Sequence, residues 1–318
     1  MRFGFTDEQL AMRDAVRDFL EKECPPKVVR DAWTNDTGRS GLWRKLGDIG
    51  VLGVLAPEAQ GGLGGDFLDL VLLLEETGRA ALPEPVVEHA AVAIPELDDA
   101  TDAAAGAITV TAMGYAPHVL YADSADLVLH AGRFVDPRTL ELEHRETVDH
   151  SRRLFTLGHP EMTGAQGTAD RGALGTAAQL IGLAQEMLDL SVEYAKQRQQ
   201  FGVPIGSFQA IKHKLADVRL ALEFSRPVVY RAAYSVAHGD PERSVHASMA
   251  KAYASEAALL SARHALQVHG AIGYSYEHDL HLWMKRAWAL ADAWGDAASH
   301  RRRVGRAILD RDREEQRG

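Results

Sequence analysis

The sequence predicts a mainly α-helical protein with a small β domain, and three observations carry that expectation. Apolar residues recur at helical spacing through the first third and the last half of the chain. Between them the texture changes to short β-like runs separated by turn residues. Turns such as Cys24-Pro25-Pro26 and Gly239-Asp240-Pro241 sit where one helical stretch must hand over to the next. The expected domains are an N-terminal helical domain (1–96), a reduced β domain (97–160) and a C-terminal antiparallel four-helix bundle (161–318).

The elements follow in order. Thr6 and Gln9 have the spacing of a capping box, with Phe5 before them as a staple. Met12, Ala15, Val16, Phe19 and Leu20 then form one buried helical face that ends at Pro25-Pro26. Helices are expected over about 41–49 and 67–79, joined by the glycine-rich turn 60–65, which lacks the lysine of a phosphate-binding loop. Strand-like pieces fall at 108–112, 127–131, 139–142 and 154–157. From about Gly172 a stripe of Leu174, Ala178, Ile181, Ala184, Leu188, Val192 and Ala195 predicts a long helix with Asp170 as its cap. Further helices are expected over 208–238, 241–269 with Pro241 at its start, and 280–309 with a break near Gly295.

Composition bounds the function. The 318 residues, 46% hydrophobic and 25% charged, suffice for a multi-domain core and exclude disorder as a global description. A net charge of -10 argues against a nucleic-acid surface, and the run Arg301-Arg302-Arg303 with Arg306 reads as a solvated helix face. The N-terminal segment Met1 to Asp7 has no basic-then-apolar leader, and no apolar run approaches the roughly 18 residues of a membrane span. A cytoplasmic protein is therefore expected. The lone Cys24 has no disulfide partner and no metal-ligand neighbours, so it reads as a structural thiol, and no metal is expected.

Two loops could hold a ligand. Arg198 to Gly206 joins two helices with a guanidinium beside an aromatic, an arrangement suited to phosphate oxygens, though a plain connector has the same composition. Gln267 to Tyr274 ends a helix at Gly270 and Gly273, and Gln267 offers both donors and an acceptor, though a glycine-terminated helix with a surface glutamine looks the same.

Taken together, Arg198-Gln199-Gln200-Phe201-Gly202, Phe208-Gln209 and Gln267-Val268-His269-Gly270-Ala271-Ile272-Gly273-Tyr274 resemble the signatures of the acyl-CoA dehydrogenase family in order and spacing. The run Leu42 to Glu58 followed by Gly61-Gly62-Leu63-Gly64 resembles that family's helical entry domain, so the resemblance covers nearly the whole chain. It implies that Arg198, Phe201 and Gln209 contact the FAD of a neighbouring subunit, that Gln267 and Gly270 contact its adenosine end, and that the protein is an oligomer. It also implies an acyl-CoA substrate and an electron-transfer flavoprotein as acceptor.

The family removes a proton next to a thioester with a carboxylate while the adjacent carbon gives hydride to flavin. The position before Gly295, where that glutamate is expected, holds Trp294, whose indole has no usable basic nitrogen. No catalytic residue is therefore assigned. Asp170 lies near the place where some relatives carry the base, and Glu256 is a weaker candidate. Nothing between Ile108 and Leu157 matches the Thr-Glu-Pro-like loop that covers the flavin in full-length relatives. The pattern resembles the short, base-lacking chain of heterotetrameric bacterial steroid side-chain acyl-CoA dehydrogenases, which implies a full-length acyl-CoA dehydrogenase subunit as partner. Two alternatives stay open: a self-sufficient homo-oligomer using Asp170, and a flavin-free helical scaffold.

Overall fold

A computed structural model of the chain describes residues 4–114, 117–157 and 166–315. The first helix, α1 (Asp7–Glu23), starts on the expected capping box: Thr6 Oγ1 accepts from the Gln9 amide at 3.2 Å, and Gln9 Oε1 accepts from the Thr6 amide at 2.9 Å. Short helices α2 (Pro26–Ala32) and α3 (Trp43–Asp48) follow, then α4 (Phe67–Arg79), which buries nearly its whole length. The glycine-rich stretch is a tight turn, with Gly61 and Gly64 at φ 75° and 60°.

Two later elements carry no clear periodic signal. A π-helical segment covers Val87–Ala93, and α5 (Thr101–Ala104) is a single turn. His89 fixes the first of these: its Nδ1 accepts from the Val110 amide at 3.0 Å, and its Nε2 lies 3.1 Å from the Ala103 carbonyl. Burial pulls this imidazole down to about 4, so it is neutral with its proton on Nε2.

The β domain consists of two three-stranded sheets. The strands are β1 (Val110–Ala112), β2 (His118–Leu120), β3 (Leu127–His130), β4 (Arg133–Val135), β5 (Leu142–Arg145) and β6 (Leu154–Leu157). One sheet has the order β1-β3-β4, with β1 parallel to β3, and the other the order β2-β6-β5. The expected strand at 139–142 is displaced: a turn at Pro137–Thr139 occupies its start, and β5 begins at Leu142. Aspartate capping at Asp136 and the proline explain why extended structure fails there.

The bundle helices are α6 (Gln166–Gln197), α7 (Gln209–Ala237), α8 (Arg243–His269), α9 (Leu280–Asp292) and α10 (Ala297–Glu315), with a two-stranded hairpin of β7 (Gln199–Gln200) and β8 (Val203–Pro204) between α6 and α7. Helix α8 packs against α6, α7, α9 and α10. Two expectations are corrected. Helix α6 begins at Gln166, so Asp170 lies inside its first turns rather than capping it, and α8 begins at Arg243, leaving Pro241 in the preceding turn. One hydrophobic core runs from Val16 of α1 to Trp294 beyond α9.

A buried ion pair ties the β domain to the bundle. Arg286 of α9 pairs with Asp149, donates to Ser151 Oγ at 2.7 Å and to the Leu82 carbonyl at 2.7 Å. These bonds satisfy most of the guanidinium fork inside the protein, which a buried charge requires. They anchor the middle of α9, eight residues before Trp294.

Candidate functional site

Two places gather the residues singled out in the sequence. The first is the end of the bundle where α6 stops, α7 starts and α8 stops. A small cluster of Ala195, Ile205 and Val268, with Tyr194, Ile211 and Leu215 against it, holds these three ends together. Tyr194 stacks on His269 at 4.4 Å between ring centroids, adding a second tie between α6 and α8. The fold therefore brings Arg198, Phe201 and Gln209 to the same end as Gln267 and Gly270.

The hairpin displays these groups outward. Ile205 N–H donates to the Arg198 carbonyl at 2.8 Å, closing the loop. Phe201 sits in the left-handed region at φ 52° and is 93% exposed. Such a conformation is costly for an aromatic residue, and in return the ring meets Phe208 edge-on at 6.2 Å between centroids, a contact that still leaves it almost fully exposed. The Arg198 side chain is exposed and makes no hydrogen bond or ion pair among the described residues. Gln209, first residue of α7, and Gln267 are exposed as well. Gly270 has φ 62° and ψ -138°, a region only glycine occupies readily. An unpaired guanidinium, two free amides and a bare glycine suit the phosphate and base of a nucleotide, and they face away from this chain.

The second place is a cavity of about 580 Å³ between the β domain and the end of α9. Trp294 forms part of its wall. The indole lies against Gly172 of α6, where a Cβ would overlap it, and against Gly114, whose added Cβ would lie 3.2 Å from Cε3. Its Nε1 donates to Glu88 Oε1 at 3.3 Å, and the residue itself is left-handed at φ 57° with Gly295 following at φ 96°. That turn is held from below. His300 Nε2 lies 2.9 Å from the Trp294 carbonyl, and Lys251 donates to the carbonyls of Ala291 at 2.8 Å and Gly295 at 3.0 Å and to Ser255 Oγ at 3.1 Å. Burial draws the Lys251 ammonium down to about 7 and the His300 imidazole down to about 4.

Neither base candidate from the sequence faces this cavity. Asp170 is 2% exposed, accepts from Ser244 Oγ and lies 3.3 Å from Arg303 Nη1, so its carboxylate turns towards α8 and α10. Glu256 pairs with Arg301. The arginine run on α10 is the solvated face expected, with Arg301, Arg302 and Arg306 exposed, and two of its members, Arg301 and Arg303, also pair with acids. Cys24 is buried and its thiol is pushed up to about 12, in line with a structural role. Glu88, Arg152, Lys251 and His300 were not singled out by the sequence. For Lys251 a faint signal exists, a lysine set among alanines on the core stripe of a helix. For the others neighbours distant in sequence supply the environment, which no local pattern reveals.

Residues 6–105 match the acyl-CoA dehydrogenase N-terminal domain and residues 162–309 the acyl-CoA dehydrogenase C-terminal domain. The chain is 35% identical over 311 residues to the acyl-CoA dehydrogenase IpdE2 of Mycolicibacterium smegmatis, covering 94% of this chain and 98% of that protein. It superposes with a TM-score of 0.86 and 25% identity on a chain of the ChsE4-ChsE5 complex from Mycobacterium tuberculosis, over 97% of this chain and 99% of that one. The fold is shared with a chain of the Tcur3481-Tcur3483 steroid acyl-CoA dehydrogenase variant, at a TM-score of 0.83 and 23% identity, over 96% of this chain and 98% of that one. The protein thus belongs to the acyl-CoA dehydrogenase family. Among the described residues no helix is long and apolar enough to cross a membrane, and no cluster of potential metal ligands occurs.

Proposed function

We propose that this chain is the non-catalytic subunit of an FAD-dependent acyl-CoA dehydrogenase complex, in which it completes a cofactor site held mainly by a full-length partner subunit. The observation that carries the reading is the outward display of Arg198 and of Phe201, 93% exposed in a left-handed conformation. FAD, when bound, supplies the hydride acceptor of the family's reaction. Arg198 would hold the pyrophosphate through its fork of donors, Phe201 would cover the flavin, and Gln209, Gln267 and Gly270 would meet the remaining polar edges and the adenosine. The chain's own cavity is partly filled by Trp294, where the family pattern expects a basic carboxylate.

On this reading the complex is a heterotetramer that introduces an α,β double bond into an acyl-CoA thioester and passes electrons to an electron-transfer flavoprotein. The likeness to ChsE4-ChsE5 supports a heteromeric arrangement, and the likeness to a steroid enzyme supports a bulky polycyclic acyl group. A second reading, a self-sufficient dehydrogenase, draws on one observation: the carboxylate of Glu88 lines the cavity. The two separate on turnover. The chain alone should show no acyl-CoA oxidation, and the complex with its dehydrogenase partner should turn over at the same rate when Glu88 is changed to Gln. Activity of the isolated chain that disappears in Glu88→Gln would establish the second reading instead.

A further inference from the structure

Helix α7 buries one face in the bundle and leaves the opposite face bare. Val218, Leu222, Ser225 and Val229 lie on the buried side. Across the helix, Leu220, Phe224 and Pro227 follow one another at spacings of four and three residues, so they share one outward stripe. Leu220 is 56% and Phe224 66% exposed. Tyr253 of α8, also exposed, adjoins the stripe, since Ser225 Oγ donates to its carbonyl at 3.3 Å. A contiguous apolar stripe at the surface marks a place that another protein covers.

The charges at the two ends of the stripe identify the covering protein. Asp217 lies seven residues before Phe224 and Arg231 seven after it, both exposed. Seven residues are two helical turns, about 10 Å along the axis. Asp217 makes no hydrogen bond or ion pair among the described residues. Arg231 gives Nη2 to Asp240 at 3.0 Å, and its other donors have no acceptor among the described residues. When two copies of α7 lie antiparallel across a two-fold axis at Phe224, Asp217 of each copy meets Arg231 of the other, and Leu220 meets Pro227 and Val228. Parallel packing would set like charges against each other instead.

We propose that this face of α7 binds a second copy of this chain, antiparallel about a two-fold axis at Phe224, with Asp217 and Arg231 paired across it. The two Phe224 rings form the centre, where an aromatic anchor contributes most. The ion pairs sit further out, where they fix register and orientation more than they add affinity. The symmetric spacing of the charges favours a second copy over an unlike protein, whose fit would need no such symmetry. On the subunit reading, the same axis joins two pairs of unlike chains into the four-chain complex.

Sedimentation equilibrium of the isolated chain tests this without flavin or partner subunit, so its outcome is distinguishable from failure of the subunit reading. The chain should be dimeric. Phe224→Glu should weaken dimerisation at least about thirtyfold, the loss expected on removing a central aromatic anchor. Asp217→Lys and Arg231→Glu should each weaken it about tenfold, because each sets like charges together twice in the dimer. An equimolar mixture of those two variants should recover most of the affinity, because the mixed pair restores both ion pairs. All three positions are exposed, so urea midpoints should stay close to that of the native chain. A monomeric chain, a dimer that survives Phe224→Glu, a dimer lost in Phe201→Ala of the hairpin, or a mixture no tighter than its components would overturn the assignment.

Discussion

Changing Gly172 to alanine should have opposite effects in two backgrounds, because the indole of Trp294 occupies the space a Cβ needs. In the natural chain the new methyl overlaps Trp294 Cδ2, so the helix or the indole must shift. Overpacking of this kind costs about 1–3 kcal/mol, more than the roughly 0.5–1 kcal/mol that alanine gains over glycine within a helix. Trp294→Ala alone removes a side chain that is only 7% exposed and should cost about 3–5 kcal/mol. In that background the clash is gone, and Gly172→Ala should become stabilising by about 0.5–1 kcal/mol. The coupling between the two sites is then about 2 kcal/mol or more. Urea unfolding of the four proteins, followed by far-ultraviolet circular dichroism and analysed at a common slope, measures it. If Gly172→Ala changes stability in the same direction in both backgrounds, the packing described for Trp294 is wrong.

Other predictions concern the surface half-site and the buried titratable groups. Arg198→Ala should leave urea stability within about 0.5 kcal/mol, as an exposed residue whose side chain has no partner among the described residues should, while reducing the FAD affinity of the complex at least about tenfold, measured by flavin release on dilution. His89 and His300 are both held near 4 in the fold against about 6.5 when unfolded, so the unfolded chain binds more protons between those values. Stability should therefore fall as pH drops from 6.5 to 4, by up to about 3 kcal/mol for each imidazole, and urea midpoints across that range in the native chain and in His300→Gln give the share of one of them. Lys251, near 7 in the fold and about 10.5 when unfolded, has the same sign at higher pH. Its contribution should raise stability from about pH 7 upwards by at most about 1.4 kcal/mol per unit, a slope that Lys251→Met should lack.

Much of the helical frame was legible because its signals are local. The capping box at Thr6, the periodic stripe along α6 and the glycine turn before α4 each need only neighbours in sequence, and each is present. The shared location of Arg198, Phe201 and Gln209 was legible for a similar reason, since they lie within a dozen residues on one hairpin and the helix that follows, while their role as half of a cofactor site belongs to the proposal. The start of α6 was misread because Asp170 just before an apolar-periodic run looks like a cap, whereas its carboxylate is engaged by Ser244 and Arg303 from distant helices. The π-helical segment escaped because His89 holds it through backbone groups 14 and 21 residues away. The cavity was invisible for the strongest form of that reason: Glu88, Arg152 and Trp294 meet only after three domains have packed around Arg286.

The most direct test of the central claim is the flavin stoichiometry of the chain purified alone and after co-expression with its full-length dehydrogenase partner. The account predicts no FAD in the isolated chain and one FAD for every pair of unlike chains in the complex, lost when Arg198 is removed. One FAD bound per isolated chain would contradict it, and so would a stable complex that carries none.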